Sequence, residues 1–223
     1  MRRRQLQTSS LFAEAKLSTR CFLWLRSVLT PYELIAASLP SRGRLLDLGS
    51  GHGLLCFTLA LASAEREIAG VDHDVARVRL AETAALKLPP EIRPRFLVGD
   101  LKESIAALGP ATLAGIAMID ILHYFDAASQ HFLIGEASRV LIPGGVLAVR
   151  EIDADAGIKA VTNRLYERVA TGVGFTRSTG RELTFRGARE WSSVLGSAGF
   201  STRSRPAGPR FLADVLLIGL RNL

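Results

Sequence analysis

An α/β fold is predicted for this 223-residue chain: a seven-stranded, mostly parallel sheet with an antiparallel last strand and helices on both faces. Three observations predict it. From Arg44 onward short apolar runs alternate with helical segments, the pattern of parallel strands joined by crossover helices. A glycine-rich turn, with Gly49, Gly51 and Gly53, directly follows the first of those runs. The last two apolar runs are separated by too few residues for a crossover helix, so they must pair antiparallel.

The elements follow in order. Residues 1–40 read as a helical preface, broken at Thr30-Pro31, where a proline can begin a new helix at its first position. Leu45–Leu48 is a short apolar strand, and Gly53–Ala64 is a helix apolar almost all round and therefore buried. Glu67–Val71 is the second strand. Asp74 can cap the next helix, with Val75, Val78, Ala81 and Ala85 on one face. Arg95–Val98 is the third strand, and a short helix runs from Lys102. Leu113–Ile119 is a buried fourth strand; Asp126 then caps a helix with Leu133, Ala137, Val140 and Leu141 on one side. Ile142-Pro143-Gly144-Gly145 puts Pro and Gly at the centre of a type II turn ahead of a fifth strand, Val146–Val149. Residues 152–185 are less regular, divided by Gly157, Gly172, Gly174 and Gly180. Ala188–Ala198 is a helix stopped by Gly199, and Phe200–Ser204 and Ala213–Leu220 are the closing strands.

Bulk composition narrows the function classes. Hydrophobic content of 48% with 22% charged residues is ordinary for a globular domain. The best apolar stretch, Ala111–Leu122, contains Asp120 and reads as a buried strand, not a membrane span. The apolar stretch Cys21–Leu29 behind Arg2, Arg3 and Arg4 lies too far downstream, and contains Arg26, for a cleaved signal peptide. Cys21 and Cys56 offer neither a disulfide framework nor metal-ligand spacing; both suit a reducing cytoplasm as small buried hydrophobes. A net charge of +7 and a pI near 10.1 raise nucleic-acid binding. Arginine, however, makes up 24 of the 28 basic residues, and these are spread along the chain rather than gathered on one segment.

The strand–turn–helix unit around Gly49 lets a backbone approach a nucleotide ligand closely. A dinucleotide fingerprint needs its third glycine at position 54, which is Leu54, and no Gly-Lys-Ser/Thr follows to make a phosphate loop. The turn instead follows an acidic strand residue, Asp47. Asp72 stands 19 residues beyond Gly53 at the end of the second strand, where a carboxylate can accept both hydroxyls of a ribose.

"LLDLGSGHG" (Leu45 to Gly53), "GVDHD" (Gly70 to Asp74) and "FLVGDL" (Phe96 to Leu101) resemble successive motifs of the class I S-adenosylmethionine-dependent methyltransferases. "MIDILHYFD" (Met118 to Asp126), "LIPGGVLAVRE" (Leu141 to Glu151) and the terminal "ADVLLIGL" are similar to that family's later motifs. The resemblance implies a Rossmann-like sheet and S-adenosylmethionine as cofactor, leaving S-adenosylhomocysteine as product. It implies that Gly49, Ser50, Gly51 and Gly53 cradle the methionine portion, supported by Asp47. Asp72 holds the ribose, and His73 flanks the adenine. Asp100 and Leu101 meet the adenine edge, and Asp120 lies near the methionine amine. Residues 41–223 then form the cofactor-binding domain, residues 1–40 a helical substrate cap, and 152–185 an insertion over the site.

Methyl transfer from a sulfonium is an in-line displacement, so alignment matters most and a base helps where the acceptor is a phenol or carboxylate. His123, just past the fourth strand, is the candidate base, with packing under the following helix as its alternative. Tyr124 can position an acceptor, and Arg150 can hold an acidic one. Asp120 with Asp153 suggests a divalent metal, but the further Asp-Asn ligand pair of catechol-type enzymes is missing, so no metal is expected. Adenine amino-group methylation uses a Pro-Pro-aromatic segment where this chain has Asp120-Ile121-Leu122-His123, and cytosine methylation needs a nucleophilic Cys on another element. A looser resemblance to small bacterial methyltransferases of lipid and aryl-polyene pathways implies O-methylation of a small aromatic or acyl-type molecule. Phe22, Trp24, Tyr32, Tyr166 and Phe175 are candidates for its apolar walls. The competing readings are an RNA methyltransferase using the arginine excess and a scaffold that has lost catalysis. A small-molecule acceptor is thus the expected partner, nucleic acid is not, and a homodimer is compatible with the sequence.

Overall fold

The computed structural model describes residues 3–155, 183–209 and 214–222. Three helices come first: α1 (Arg3–Ser10), α2 (Leu17–Leu29) and α3 (Tyr32–Ser38). The alternation then runs β1 (Gly43–Leu48), α4 (Leu54–Ala60), β2 (Arg66–Asp72), α5 (Val75–Ala85), β3 (Arg95–Val98), α6 (Leu101–Ala106), β4 (Leu113–Ile119), α7 (Ala127–Val140) and β5 (Leu141–Ile152). The chain closes with α8 (Ala188–Ser197), β6 (Phe200–Pro206) and β7 (Asp214–Arg221). The seven strands make one sheet in the order β3-β2-β1-β4-β5-β7-β6, with β7 antiparallel to both its neighbours.

Strand periodicity explains why helices cover both faces. Along β1, β4, β5 and β7 successive residues alternate between two separate cores. Leu45, Ala117, Ala148 and Leu216 pack with Leu11, Phe12 and helices α2 to α5 on one face. Leu46, Ile116, Leu147 and Leu217 pack with α6, α7 and α8 on the other. Every residue of α4 is buried, as its unbroken apolar sequence requires. Asp74, Asp100 and Asp126 each accept backbone N–H groups at the start of α5, α6 and α7, which satisfies donors the helix leaves orphaned.

Several local expectations are corrected. Val75 is exposed, and Ala84 takes its place with Val78, Ala81 and Ala85 against the sheet. Pro31 stands at the N-cap of α3 rather than inside it. The fifth strand starts at Leu141, before the Pro143-Gly144 turn. The ladder shifts between Leu113↔Leu141 and Gly115↔Val146, so the turn is absorbed as a bulge, with Gly144 at φ 74. Cys56 is buried as expected but Cys21 is exposed on α2. Most of the 152–185 segment, including Gly157, Tyr166, Gly172, Gly174, Phe175 and Gly180, lies outside the described residues. No helix among the described residues is long and apolar enough to cross a membrane.

A buried cation ties the end of α3 to the sheet. Arg66, opening β2, donates through Nε to Pro40 O at 2.7 Å and through its terminal nitrogens to the carbonyls of Ala36, Leu39 and Leu59. These carbonyls end α3 and α4, where intrahelical donors run out. Arg66→Met is expected to cost about 2–3 kcal/mol in chemical denaturation, the scale of leaving such acceptors unmet; a midpoint equal to the parent's would show that the carbonyls find other donors.

Candidate active site

The sheet order turns back on itself between β1 and β4. The chain moves outward from β1 through β2 to β3, then returns to place β4 on the other side of β1. Such a switch point leaves a crevice beyond the carboxyl ends of the strands. Here it is a cavity of about 210 Å³. Its floor comes from Asp47, Gly49, Ser50 and Gly51 after β1, Asp72 and His73 after β2, Asp100 and Leu101 after β3, and Ile119 and Asp120 after β4. Its remaining wall comes from Phe22, Leu23 and Arg26 of α2, Tyr32 of α3, and Tyr124 and Phe125.

The glycine loop is held by backbone and carboxylate together. Gly49 and Ser50 both donate to Val71 O, at 2.8 and 3.0 Å, extending the β1–β2 pairing past the strand end. Asp72 then accepts from Gly51 N at 2.8 Å through Oδ2 and from Asp74 N at 2.9 Å through Oδ1. Gly49 has φ 79, and a Cβ there would run into the Ile121 side chain. Gly51, at φ 53, is different: a Cβ would meet nothing within 4 Å. The open space over Gly51 is the place where a ligand can lie directly on the backbone. Gly53 caps α4 against Phe96 and is not part of the cavity lining.

Asp120 sits at φ 56, a left-handed conformation that Asp tolerates better than most residues. Its backbone N–H donates to Arg150 O at 2.9 Å. Its carboxylate is held from two sides, by Arg150 at 2.5 Å and by Arg26 of α2 at 3.2 Å. Arg150 is buried and fully engaged: it also donates to Asp214 at 2.6 Å and to Ala207 O at 2.9 Å. It therefore does not reach the cavity to hold an acidic acceptor. It fixes Asp120 instead.

His123 is also placed differently from expectation. It is only 1% exposed and does not line the cavity. Its Nδ1 lies 2.6 Å from Glu151 Oε2, and its ring stacks on Phe185 at 5.3 Å between centroids. The other oxygen of Glu151 accepts from Ile121 N and Leu122 N, at 3.0 and 2.6 Å. Gln130 adds donations to Leu122 O, Phe125 O and Thr184 O. Together these groups lock the single turn after β4, and the turn carries Tyr124 into the cavity wall. Glu151 and Gln130 were not legible as site residues, because nothing in a lone strand-end Glu or a helical Gln announces a partner distant in sequence.

Of the aromatic residues expected as walls, Phe22 and Tyr32 line the cavity. Trp24 does not: it points outward from α2 and is 53% exposed. His52 lines the cavity near Phe22, a placement sequence reasoning missed because its neighbour α2 is remote in the chain.

Two cavity groups are strongly perturbed. Burial, with a further push from Asp72 against a hydrogen bond from Cys56, raises Asp47 to about 7. The Cys56 thiol is pushed up by the same burial and by Asp47, and it donates to Asp47 Oδ2 at 3.4 Å. His52 is lowered to about 4, first by burial and then by Arg77 and Arg26. Burial likewise raises the Tyr32 phenol, partly offset by Arg26. No cluster of metal-ligating side chains is found among the described residues.

Residues 45–145 match a family model described as a methyltransferase domain. No curated protein matches the chain in sequence. An O-methyltransferase family protein from Burkholderia thailandensis aligns at a TM-score of 0.69 and 20% identity, over 89% of this chain and 57% of that one. The chain thus spans little more than half the length of that protein. Magnesium protoporphyrin IX methyltransferase (ChlM) from Synechocystis, solved with bound SAH, aligns at 0.67 and 18% identity over 98% and 93% of the two chains. A chain of the complex between the Haloferax volcanii Trm112 methyltransferase activator and a putative methyltransferase aligns at 0.68 and 16% identity over 86% and 88%. Likenesses at these identities show the fold.

The two perturbed groups give opposite pH dependences. Asp47 holds its proton more tightly folded than unfolded, so its contribution to stability is lost as pH rises from about 4 to about 7. His52 stays neutral when folded while the unfolded chain takes a proton, so its contribution is lost as pH falls from 6.5 to about 4. Relative to the parent, Asp47→Asn should lose stability on acidification across this window, and His52→Gln should gain it. Thermal melts at a series of pH values check both; parallel curves for parent and variants would contradict the assignments.

Proposed function

We propose, with residues 45–145 forming a methyltransferase domain as the premise, that this chain transfers a methyl group from S-adenosylmethionine to an oxygen of a small aromatic or acyl-type molecule. The sheet order and the match of residues 45–145 to a methyltransferase domain support the class I reading. The observation that carries the reading is the cavity itself. Its floor is polar backbone and carboxylates at the switch point, and its far wall is Phe22, Leu23, Tyr32, Tyr124 and Phe125. A cationic nucleoside suits the first part and an apolar acceptor the second.

The residues present fit the cofactor. Gly51 leaves its backbone open to the cavity. Asp72 has two oxygens on the cavity edge, each accepting one backbone N–H and each able to accept more. Asp100 caps α6 through Oδ1 from the cavity rim, and Leu101 packs beside it. In this reading Asp72 takes the ribose hydroxyls, Asp100 and Leu101 the adenine edge, His73 an adenine face, and Asp120 the amine. Gly49, Ser50 and Gly51 cradle the methionine portion over Asp47, while Gly53 sets the start of α4 behind them. The bound cofactor supplies a methyl group on a positively charged sulfur.

The chain's own contribution is alignment and dryness. Phe22, Leu23 and Phe125 keep water from the acceptor, and the hydroxyls of Tyr32 and Tyr124 orient it. His123 works through Tyr124: with Glu151 it fixes the turn rather than meeting the acceptor. Residues 1–40 act as the substrate cap, since α2 and α3 supply half of the wall. The small-molecule reading rests on the enclosure of the cavity.

Calorimetry with S-adenosylmethionine tests the cofactor assignment. Asp72→Ala should weaken binding at least tenfold, the value of one lost charge-assisted hydrogen bond. Gly51→Ser should also weaken binding, because at φ 53 its side chain would stand in the open space over the loop that the ligand needs; no binding by the parent would sink the function outright. For the acceptor side, turnover of a labelled methyl group is measured on a panel of phenols and acyl acids. Tyr124→Phe should change acceptor KM or kcat several-fold at unchanged cofactor affinity. His123→Asn should lower thermal stability together with activity. Loss of activity alone, with one limb of the pH profile gone, would return His123 to the role of base.

A further inference from the structure

Helix α2 has two apolar faces, and only one of them is accounted for. Phe22, Leu23 and Arg26 point inward to the cavity. On the opposite side Leu17, Cys21, Trp24, Leu25 and Val28 recur at helical spacing as one stripe, and all are exposed. Leu17 is 71% exposed and Val28 47%. Exposed Lys16 and Arg20 border this stripe. In sequence, residues 1–29 hold six basic side chains, Arg2, Arg3, Arg4, Lys16, Arg20 and Arg26, against the single acid Glu14. Arg26 is turned inward to Asp120; the other five with Glu14 leave a net +4, more than half of the +7 of the whole chain.

We propose that the outer face of α2 docks this protein on an anionic lipid surface. The combination is that of an interfacial helix: an apolar stripe with a tryptophan, bordered by cations, on a helix too short to span. Charge selects this occupant over a second copy of the chain. A second copy would present a face of the same positive charge, so self-association through the stripe sets like charges against each other. An anionic surface pairs with every one of them, at about fivefold in affinity per cation. Docking this way leaves the inward face of α2 over the cavity, so the apolar wall of the site lies next to the lipid surface. The inference stands on α2 alone and does not depend on the methyl-transfer reading.

The protein carries its own probe. Of its two tryptophans, Trp191 is 1% exposed inside the core and Trp24 lies in the stripe. Titration of the full chain with mixed phosphatidylcholine–phosphatidylglycerol vesicles should shift tryptophan emission to the blue and carry the protein down on sedimentation. Pure phosphatidylcholine should bind it far less, and added salt should release it. Trp24→Phe should abolish the emission shift while most of the sedimentation remains. Arg20→Gln and Lys16→Gln should each weaken partitioning about fivefold, and Val28→Glu should weaken it further, with circular dichroism confirming the fold. Unchanged emission and protein left in the supernatant at low salt would overturn the proposal. So would a dimer in sedimentation equilibrium that Val28→Glu dissociates, or vesicle binding indifferent to Val28→Glu and Arg20→Gln together.

Discussion

Asp120 held between two arginines is the interaction on which the site depends. Arg150 reaches it from β5 and Arg26 from α2, so one carboxylate joins the end of β4 to the sheet beneath and to the helices above. Arg150 also binds Asp214 at the start of β7, which brings the antiparallel hairpin into the same network. Isolated, any of these buried charges would be costly, and each is tolerable because its partners are in place. The left-handed backbone at Asp120 belongs to the same constraint: it lets the chain leave β4 while the side chain stays between its two cations. Without that node α2 would lose its polar tie to the strand ends, and Arg66 and Arg205 would hold α3 alone among the charged groups described.

A second layer of fixed geometry lies on either side of this node. On the β2 side, Asp72 braces the glycine loop through Gly51 and caps the turn into α5 through Asp74. On the β5 side, Glu151 and Gln130 hold the turn that presents Tyr124. Both sides use carboxylate or amide groups to satisfy backbone where regular structure ends, which is where orphaned N–H and C=O groups collect. The cavity is therefore walled by segments that are irregular in conformation yet closely held. That is the arrangement alignment-driven chemistry needs.

The outer face of α2 follows a different logic. Inside the cavity its residues answer to the sheet; outside, the apolar stripe and its cations answer to nothing within the described chain. A helix apolar on both faces costs solubility unless something covers the second face. The same helix thus links the site to a surface.

How much was legible in the sequence follows from the range of each interaction. The strand alternation, the caps at Asp74 and Asp126, and the closing antiparallel hairpin are local and legible from spacing. So are the Gly49–Gly53 turn and the position of Asp72 at the end of β2, because a tight turn and a strand-end acid leave their signature within one strand–helix–strand unit. The cap at Asp100 and the inward face of α5 emerge only in the structure. The residues misjudged were those whose surroundings come from far along the chain. Arg150 is identical in sequence whether it holds a substrate or a neighbouring Asp120 and Asp214; only the antiparallel addition of β7 decides. His123 reads as a base until the fold buries it behind the turn, off the cavity lining, where Glu151, 28 residues away, holds it. Trp24 and Phe22 look equally fit for a pocket, and the angle at which α2 lies on the sheet sends one outward and one in. Sequence by itself determined the elements, the order of the motifs and the glycine turn, because these rest on backbone periodicity and short-range steric need. Which side chains face the cavity was decided only by tertiary structure, because burial and charge pairing depend on neighbours that no local pattern encodes.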